Sequence, residues 1–222
     1  MTFSRYGIYF TPAPGPFAEA GATWLGWDVA NGCRVGAPDD DVTKRPRRYG
    51  FHGTIKPPFH LAPSKTAQAL ESDLERLCDA LEPVVLEGLT LSRIGPFLAL
   101  TAVGDVRELA QMAGQVVRDL DGYRAPPDEA ELARRRQSNL TALQEQNLKD
   151  WGYPYVMEAF KFHMTLTGPL PQAQRDAVLA RANTHFGDLP PRPFVIDSLT
   201  LVGEGADSRF REIRRFKLRA GL

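Results

Sequence analysis

An α+β fold in which one strand–helix–hairpin unit is used twice is what this sequence predicts, and three observations lead there. Phe51-His52-Gly53-Thr54-Ile55-Lys56-Pro57-Pro58 returns as Phe162-His163-Met164-Thr165-Leu166-Thr167-Gly168-Pro169, 111 positions later (163 − 52). Downstream, Leu89-Thr90-Leu91 and Leu199-Thr200-Leu201 lie 37 and 36 residues past the respective histidines (89 − 52 and 199 − 163). Between motif and echo, each half carries one helical pattern, Ser64 to Leu81 and about Gln172 to Phe186. A repeated unit accounts for this spacing better than chance. The 222 residues fit one domain or two small packed lobes. The expected organisation is a single bilobal domain, with units at about 48–103 and 159–219 and a helical insertion at about 126–150.

The first strand is expected at Arg5 to Phe10, where aromatic and β-branched side chains run up to the turn residues Thr11-Pro12-Ala13-Pro14-Gly15-Pro16. A short helix from Phe17 to Leu25 follows. Residues 31–48 carry Gly, Pro and a charged run, Asp39-Asp40-Asp41 and then Lys44-Arg45-Pro46-Arg47-Arg48, and read as a solvated loop. Ser64 is the expected N-cap of a helix whose Ala67, Leu70, Leu74, Leu77, Cys78 and Leu81 keep the helical period. Val84 to Ser92 and Phe97 to Val103 read as strands joined at Ile94-Gly95-Pro96, and Asp105 to Leu120 as an amphipathic helix. Residues 128–150, rich in Glu, Arg, Gln and Leu, read as one mostly exposed helix, and Gly203-Glu204-Gly205 as a hairpin turn.

Composition narrows the function classes. Lys+Arg and Asp+Glu each number 27, so the formal charge is zero, which removes the electrostatic footprint of a duplex-DNA binder. With 43% hydrophobic and 24% charged residues the chain is neither disordered nor disulfide-stapled. The first ten residues lack the apolar stretch of a signal peptide, and no apolar run approaches the ~20 residues of a membrane span. A cytoplasmic location, with no DNA partner and no membrane, is therefore expected. Cys33 and Cys78 lack metal-ligand spacing, and Cys78 falls at an apolar helical position, which predicts a buried thiol.

From Phe160 to Thr167 the alternation is strict: Phe160, Phe162, Met164 and Leu166 point one way and Lys161, His163, Thr165 and Thr167 the other. The earlier copy behaves alike, with Phe51 and Ile55 on one side and His52, Thr54 and Lys56 on the other. Each His and its Thr thus sit on one strand face, about 6–7 Å apart. A lone His-x-Thr is an ordinary sheet surface; two copies in a duplicated unit imply related lobes that bring both pairs into one cleft. Histidine titrates near neutrality, so one imidazole accepts a proton while the other donates one. Threonine hydroxyls hydrogen-bond phosphate oxygens, and Lys56 or Lys161 adds charge complementarity. That set describes phosphodiester cleavage by positioned acid–base groups, with no metal and no cofactor.

These paired Phe-His-x-Thr-[Ile/Leu] motifs resemble the two-histidine phosphoesterase superfamily, which includes RNA 2′,3′-cyclic phosphodiesterases and bacterial RNA 2′-5′ ligase-like proteins. More narrowly, Arg48-Tyr49-Gly50-Phe51-His52-Gly53-Thr54-Ile55-Lys56-Pro57-Pro58-Phe59, Trp24-Leu25-Gly26-Trp27-Asp28, Trp151-Gly152-Tyr153-Pro154-Tyr155 and the second motif look like the branch encoded with phosphonate-metabolism genes. The resemblance implies two pseudo-symmetric lobes of antiparallel sheet with helices packed outside and a central active-site cleft. It implies His52 and His163 as the acid–base pair and Thr54 and Thr165 as phosphate contacts. The implied substrate is a small cyclic phosphate of a sugar or nucleotide, such as phosphoribosyl 1,2-cyclic phosphate, with RNA ends as an alternative. Arg5, Tyr6 and Tyr153 are further candidates for substrate contact, whereas Tyr49 falls on the apolar face by alternation.

Rival readings have weaker support. The four histidines, His52, His60, His163 and His185, show neither His-x-His nor His-Glu-x-x-His spacing. There is no Gly-x-Ser-x-Gly for a serine nucleophile, and no P-loop. A non-catalytic RNA or nucleotide module would draw on Arg45, Arg47, Arg48 and Arg134-Arg135-Arg136, with Trp24, Trp27 and Trp151 for stacking.

Overall fold

Helical spacing in the sequence turns directly into buried faces. In the computed structural model, which describes residues 2–219, Leu70, Leu74, Leu77 and Cys78 are the buried positions of a helix at Ala67–Ala80. Its N-cap is Thr66, not Ser64, because the Thr66 hydroxyl accepts from the Ala69 N–H. Burial pushes the Cys78 thiol up to about 12.

The strands are β1 (Tyr6–Phe10), β2 (Gly53–Phe59), β3 (Val84–Leu86), β4 (Gly88–Ile94), β5 (Phe97–Val103), β6 (His163–Thr165), β7 (Phe194–Ile196), β8 (Ser198–Glu204) and β9 (Phe210–Lys217). The α-helices are α1 (Pro16–Leu25), α2 (Asp40–Arg47), α3 (Ala67–Ala80), α4 (Arg107–Asp119), α5 (Glu129–Arg136), α6 (Ala142–Trp151) and α7 (Arg175–Phe186). After each motif the order is the same: strand, helix, short strand, hairpin.

In space the two units interlock. The main sheet runs β4-β5-β6-β2-β1-β8-β9, all neighbours antiparallel, so the hairpin of the first unit pairs with β6 of the second. The second unit's hairpin, β8–β9, lies against β1, which pairs with β2. The short strands β3 and β7 pair with each other. A single bridge, Gly53↔Met164, joins the two halves of the sheet. The α+β class with a large antiparallel sheet is as the sequence predicts.

Several boundaries differ from expectation: β8 continues through Glu204, which pairs with Phe210, so the β8–β9 turn falls at 205–209 rather than at 203–205. Residues 40–47 are helical because Asp40 and Asp41 occupy the first turn and Lys44, Arg45 and Arg47 the last, complementing the helix dipole, while Val42 is buried. The run at 84–92 breaks at Glu87, since β3 pairs with β7 and β4 with β5. The insertion is two helices: Asn139 adopts φ 49°, and Thr141 with Gln144 forms a capping box that starts α6. The pattern at 172–186 begins as a 3₁₀ turn, Gln172–Gln174, before α7. No helix among the described residues is long and apolar enough to cross a membrane.

Candidate active site

The helix α1 positions both motifs. Gly21 lets it approach Phe51 so closely that a Cβ there would lie 1.9 Å from the ring. One turn on, the Trp24 indole N–H donates to the Leu166 carbonyl at 2.9 Å. Residues adjoining His52 and Thr165 are thus held by one helix.

At the Gly53↔Met164 bridge the antiparallel register sets Thr54 beside His163 and His52 beside Thr165. Side chains alternate, so these four share the face opposite Gly53 and Met164, with cross-strand Cβ atoms about 5 Å apart and the histidines on the diagonal, about 7–8 Å. Both histidines are held alike by the carbonyl two residues back: His52 Nδ1 is 2.9 Å from Gly50 O and His163 Nδ1 is 2.8 Å from Lys161 O. A carbonyl only accepts, so Nδ1 carries the proton in each ring, and in a neutral ring Nε2 is the acceptor. In neutral His52, Nε2 accepts from the Thr54 hydroxyl at 3.0 Å.

The two imidazoles differ in surroundings. Tyr9 stacks on His52 with ring centroids 3.9 Å apart and planes at 24°, which closes one ring face to water. Burial pushes the His52 pKa down to about 4, the Gly50 hydrogen bond opposes this, and the charge of His163 lowers it further. His52 is neutral at pH 7. His163 has Phe97 at 5.9 Å.

Tyr9 has no counterpart in the sequence reading. It shares the face of Thr54 through the Tyr9↔Thr54 pairing, and Gly7 makes room for its ring: a Cβ there would lie 3.1 Å from Tyr9 Cε1. The Gly-x-Tyr spacing on an otherwise bulky strand is the one signal that pointed to it.

Tyr49 is also nearer than alternation implies. Its ring lies 6.1 Å from His52 and stacks on Phe210 at 5.3 Å. Residues before Gly53 are a turn, with Gly50 at φ 74°, so strand alternation does not extend to Tyr49.

Lys56 does not join the four. Between Ile8↔Lys56 and Tyr9↔Thr54 the register shifts, so Ile55 and Lys56 together oppose Ile8. This bulge breaks the alternation that links Lys56 to Thr54. The buried ammonium instead donates to the Val117 carbonyl in the last turn of α4 at 3.0 Å and pairs with Asp121 at 3.4 Å, and burial pushes its pKa down to about 8. Lys56→Met, which orphans that carbonyl, is expected to cost about 1–3 kcal/mol in a denaturant titration; an unchanged midpoint would return Lys56 to solvent.

Tyr6 is buried, packed edge-on against Phe3 at 6.1 Å, and stands apart from the four. Arg5 is consumed by Glu204, with Nε and Nη2 at 2.6 and 2.8 Å, and Arg48 adds a third contact at 2.7 Å. The hydrogen bonds from Arg5 and Arg48 hold the Glu204 carboxyl down to about 2. Tyr153, half-buried at the end of the insertion, stands under the Arg135 guanidinium, 4.5 Å from its centroid. His60 sits on the Ser4 carbonyl and His185 on that of Ala20. Among the described residues no three His, Cys, Asp or Glu gather as a metal-binding group. Trp24 and Trp27 are buried and so offer no stacking platform for bases.

An antiparallel α+β sheet carrying two His-x-Thr pairs on one face is the class that fold and site define. The chain belongs to the family described as Protein of unknown function (DUF1045), whose model matches residues 54–211. It is 37% identical over 217 residues to the ribose 1,5-bisphosphate phosphokinase PhnN of Janthinobacterium sp. (strain Marseille), covering 91% of this chain and 48% of that protein. The protein of the same name from Laribacter hongkongensis (strain HLHK9) is 33% identical over 220 residues, covering 95% and 51%. The chain thus spans about half the length of these curated relatives. Among solved structures, E. coli LigT complexed with 3′-AMP is similar at TM-score 0.45 and 13% identity, covering 97% of this chain and 98% of that one. A structure described as a phosphoesterase gives 0.42 and 12%, covering 99% and 100%.

Proposed function

We propose that this protein is a cyclic phosphodiesterase that opens a small cyclic phosphate ester by two-histidine acid–base catalysis. The observation that carries the proposal is the matched pair of imidazoles, each locked at Nδ1 by a carbonyl two residues back and set diagonally across one antiparallel bridge. His52, neutral at pH 7, takes the proton of an attacking water at Nε2; water oxygen bonds to phosphorus as the ring P–O bond breaks. His163 gives its Nε2 proton to the leaving oxygen. Water is consumed and a phosphomonoester remains. With substrate bound, the Thr54 hydroxyl turns from His52 Nε2, where the attacking water takes its place, and with the Thr165 hydroxyl donates to the non-bridging oxygens; the bound anion raises the His52 pKa toward a useful basicity.

The substrate we propose is a phosphoribosyl 1,2-cyclic phosphate. The name of the relatives whose length this chain half spans concerns a phosphorylated ribose, which supports a sugar scaffold of that kind. The kinase activity in that name finds no support in this chain, which contains no Gly-x-x-x-x-Gly-Lys-[Ser/Thr] run.

Phosphorus NMR of EDTA-treated protein with a ribose 1,2-cyclic phosphate, nucleoside 2′,3′-cyclic phosphates and a linear diester tests the reading. Ring opening of the cyclic esters supports it, and silence across the panel overturns it. The pH profile of kcat/KM is expected to be bell-shaped, its acidic limb arising as His52 takes up a proton. Because burial lowers this pKa, that limb falls near pH 4 in the free enzyme rather than near the ordinary 6.5; a limb at 6–7 removes His52 as the base.

A further inference from the structure

The carbonyls that hold the two imidazoles are themselves held differently. Lys161, whose carbonyl faces His163 Nδ1, is exposed. Gly50, whose carbonyl faces His52 Nδ1, is buried in a turn at φ 74°, so close to Val29 that a Cβ on it would lie 2.6 Å from Val29 Cβ. Val29 belongs to a small buried cluster with Tyr9, Trp27, Val202 and Phe210, separate from the main core, and Tyr49 packs against it.

The turn that carries Gly50 is fastened to the β8–β9 hairpin at three points. The Phe210 N–H donates to the Arg48 carbonyl at 2.7 Å. The Arg48 guanidinium reaches back over the hairpin, with Nε donating to the Ser208 carbonyl at 3.2 Å and Nη2 to Glu204 Oε1 at 2.7 Å. Glu204 is buried, and its oxygens also accept from Arg5 Nε and Nη2 at 2.6 and 2.8 Å and from the Ser4 hydroxyl at 2.9 Å. Arg5 leads directly into β1, whose Tyr9 stacks on the His52 ring. Both seats of that imidazole, its ring face and its Nδ1 acceptor, thus lead back to one carboxylate. A buried ion pair adds little net stability over apolar packing of the same volume, so what this cluster supplies is fixed geometry.

We propose that Glu204 is a positioning residue for His52: through Arg48 it fixes the turn whose Gly50 carbonyl keeps the His52 proton on Nδ1 and leaves Nε2 open to accept. The assignment rests on the phosphodiesterase reading for its place in a reaction. It makes the hairpin of the second unit responsible for the tautomer of the first unit's histidine.

Long-range nitrogen–proton NMR of the imidazoles reads the tautomer directly and needs no substrate. In the wild type, neutral His52 is expected as the Nδ1–H form. In Glu204→Gln, which leaves two guanidiniums around an uncharged amide, and in Arg48→Met, it is expected to become a mixture of Nδ1–H and Nε2–H forms while the His163 signals stay as they are. The Arg48 side chain is 40% exposed, so its variant is expected to fold even where Glu204→Gln does not. Lys56→Met, destabilised instead at the end of α4, is expected to keep the wild-type His52 tautomer. An unchanged His52 tautomer in Arg48→Met, or the same change in Lys56→Met, overturns the assignment. In turnover, kcat is expected to fall about 3- to 10-fold in Arg48→Met, the worth of one hydrogen bond, with KM unchanged; a rise in KM alone also overturns it. A mixed tautomer in Arg48→Met, beside a wild type that opens no ester, would leave the positioning role standing and remove the phosphodiesterase reading.

Discussion

His163→Ala is expected to lower kcat for cyclic phosphate opening by about 10²–10⁴-fold, the range for loss of a positioned general acid or base. His52→Ala is expected to fall as far, because in the proposed mechanism each group serves one half of a coupled proton transfer and neither substitutes for the other. The two variants separate on the pH axis. Losing His52 removes the acidic limb of the profile, whereas His163→Ala keeps it. The fold is expected to tolerate His163→Ala, since His163 is half-buried and hydrogen-bonds the nearby Lys161 carbonyl. Thermal melting checks that the loss is chemical. Near-normal turnover in either variant would sink the mechanism.

Gly53→Ala is the second large effect, and it acts through packing. A Cβ on Gly53 would lie 2.3 Å from Phe162 Cε2 and 2.4 Å from Cζ. Phe162 has nowhere to go, packed against Phe10 at 6.3 Å and Phe194 at 6.0 Å. Overpacking of this kind costs about 1–3 kcal/mol, which for a chain of this size lowers Tm by roughly 2–4 °C per kcal/mol. Gly53 is also the residue paired with Met164, flanked by His52 and Thr54. A displaced strand misaligns both motifs, so kcat is expected to fall with stability. Gly122→Ala, whose Cβ meets nothing within 4 Å, is the control expected within about 0.5 kcal/mol of wild type. Unchanged Tm and kcat in Gly53→Ala would show that the two strands are not seated as described.

Much of the site was legible in the sequence because strand alternation is a local property. His163 and Thr165 share a face by parity, and repetition of the motif pointed to a common cleft. Lys56 shows where parity stops: one bulge at Ile55–Lys56 moves its ammonium from the expected polar face to the end of α4. Tyr49 shows the reverse, brought within reach of His52 by a turn that precedes the strand. Tyr9 carries no motif; its place in the site depends on His52, far away in the chain.

The amino-acid order alone settled the duplicated unit, its helices and the His-x-Thr faces, since these follow from side-chain periodicity over a few residues. Tertiary structure decided how the units combine. The hairpin of the first unit pairs with β6 of the second, and β8–β9 completes the sheet beside β1. Backbone hydrogen bonds are the same whichever strand supplies them, so choice of neighbour comes from packing of distant side chains. Trp24 on the Leu166 carbonyl and Gly21 against Phe51 are such choices. The difference between the histidines arises the same way: two near-identical motifs acquire unlike imidazoles because Tyr9 from the first strand covers one of them.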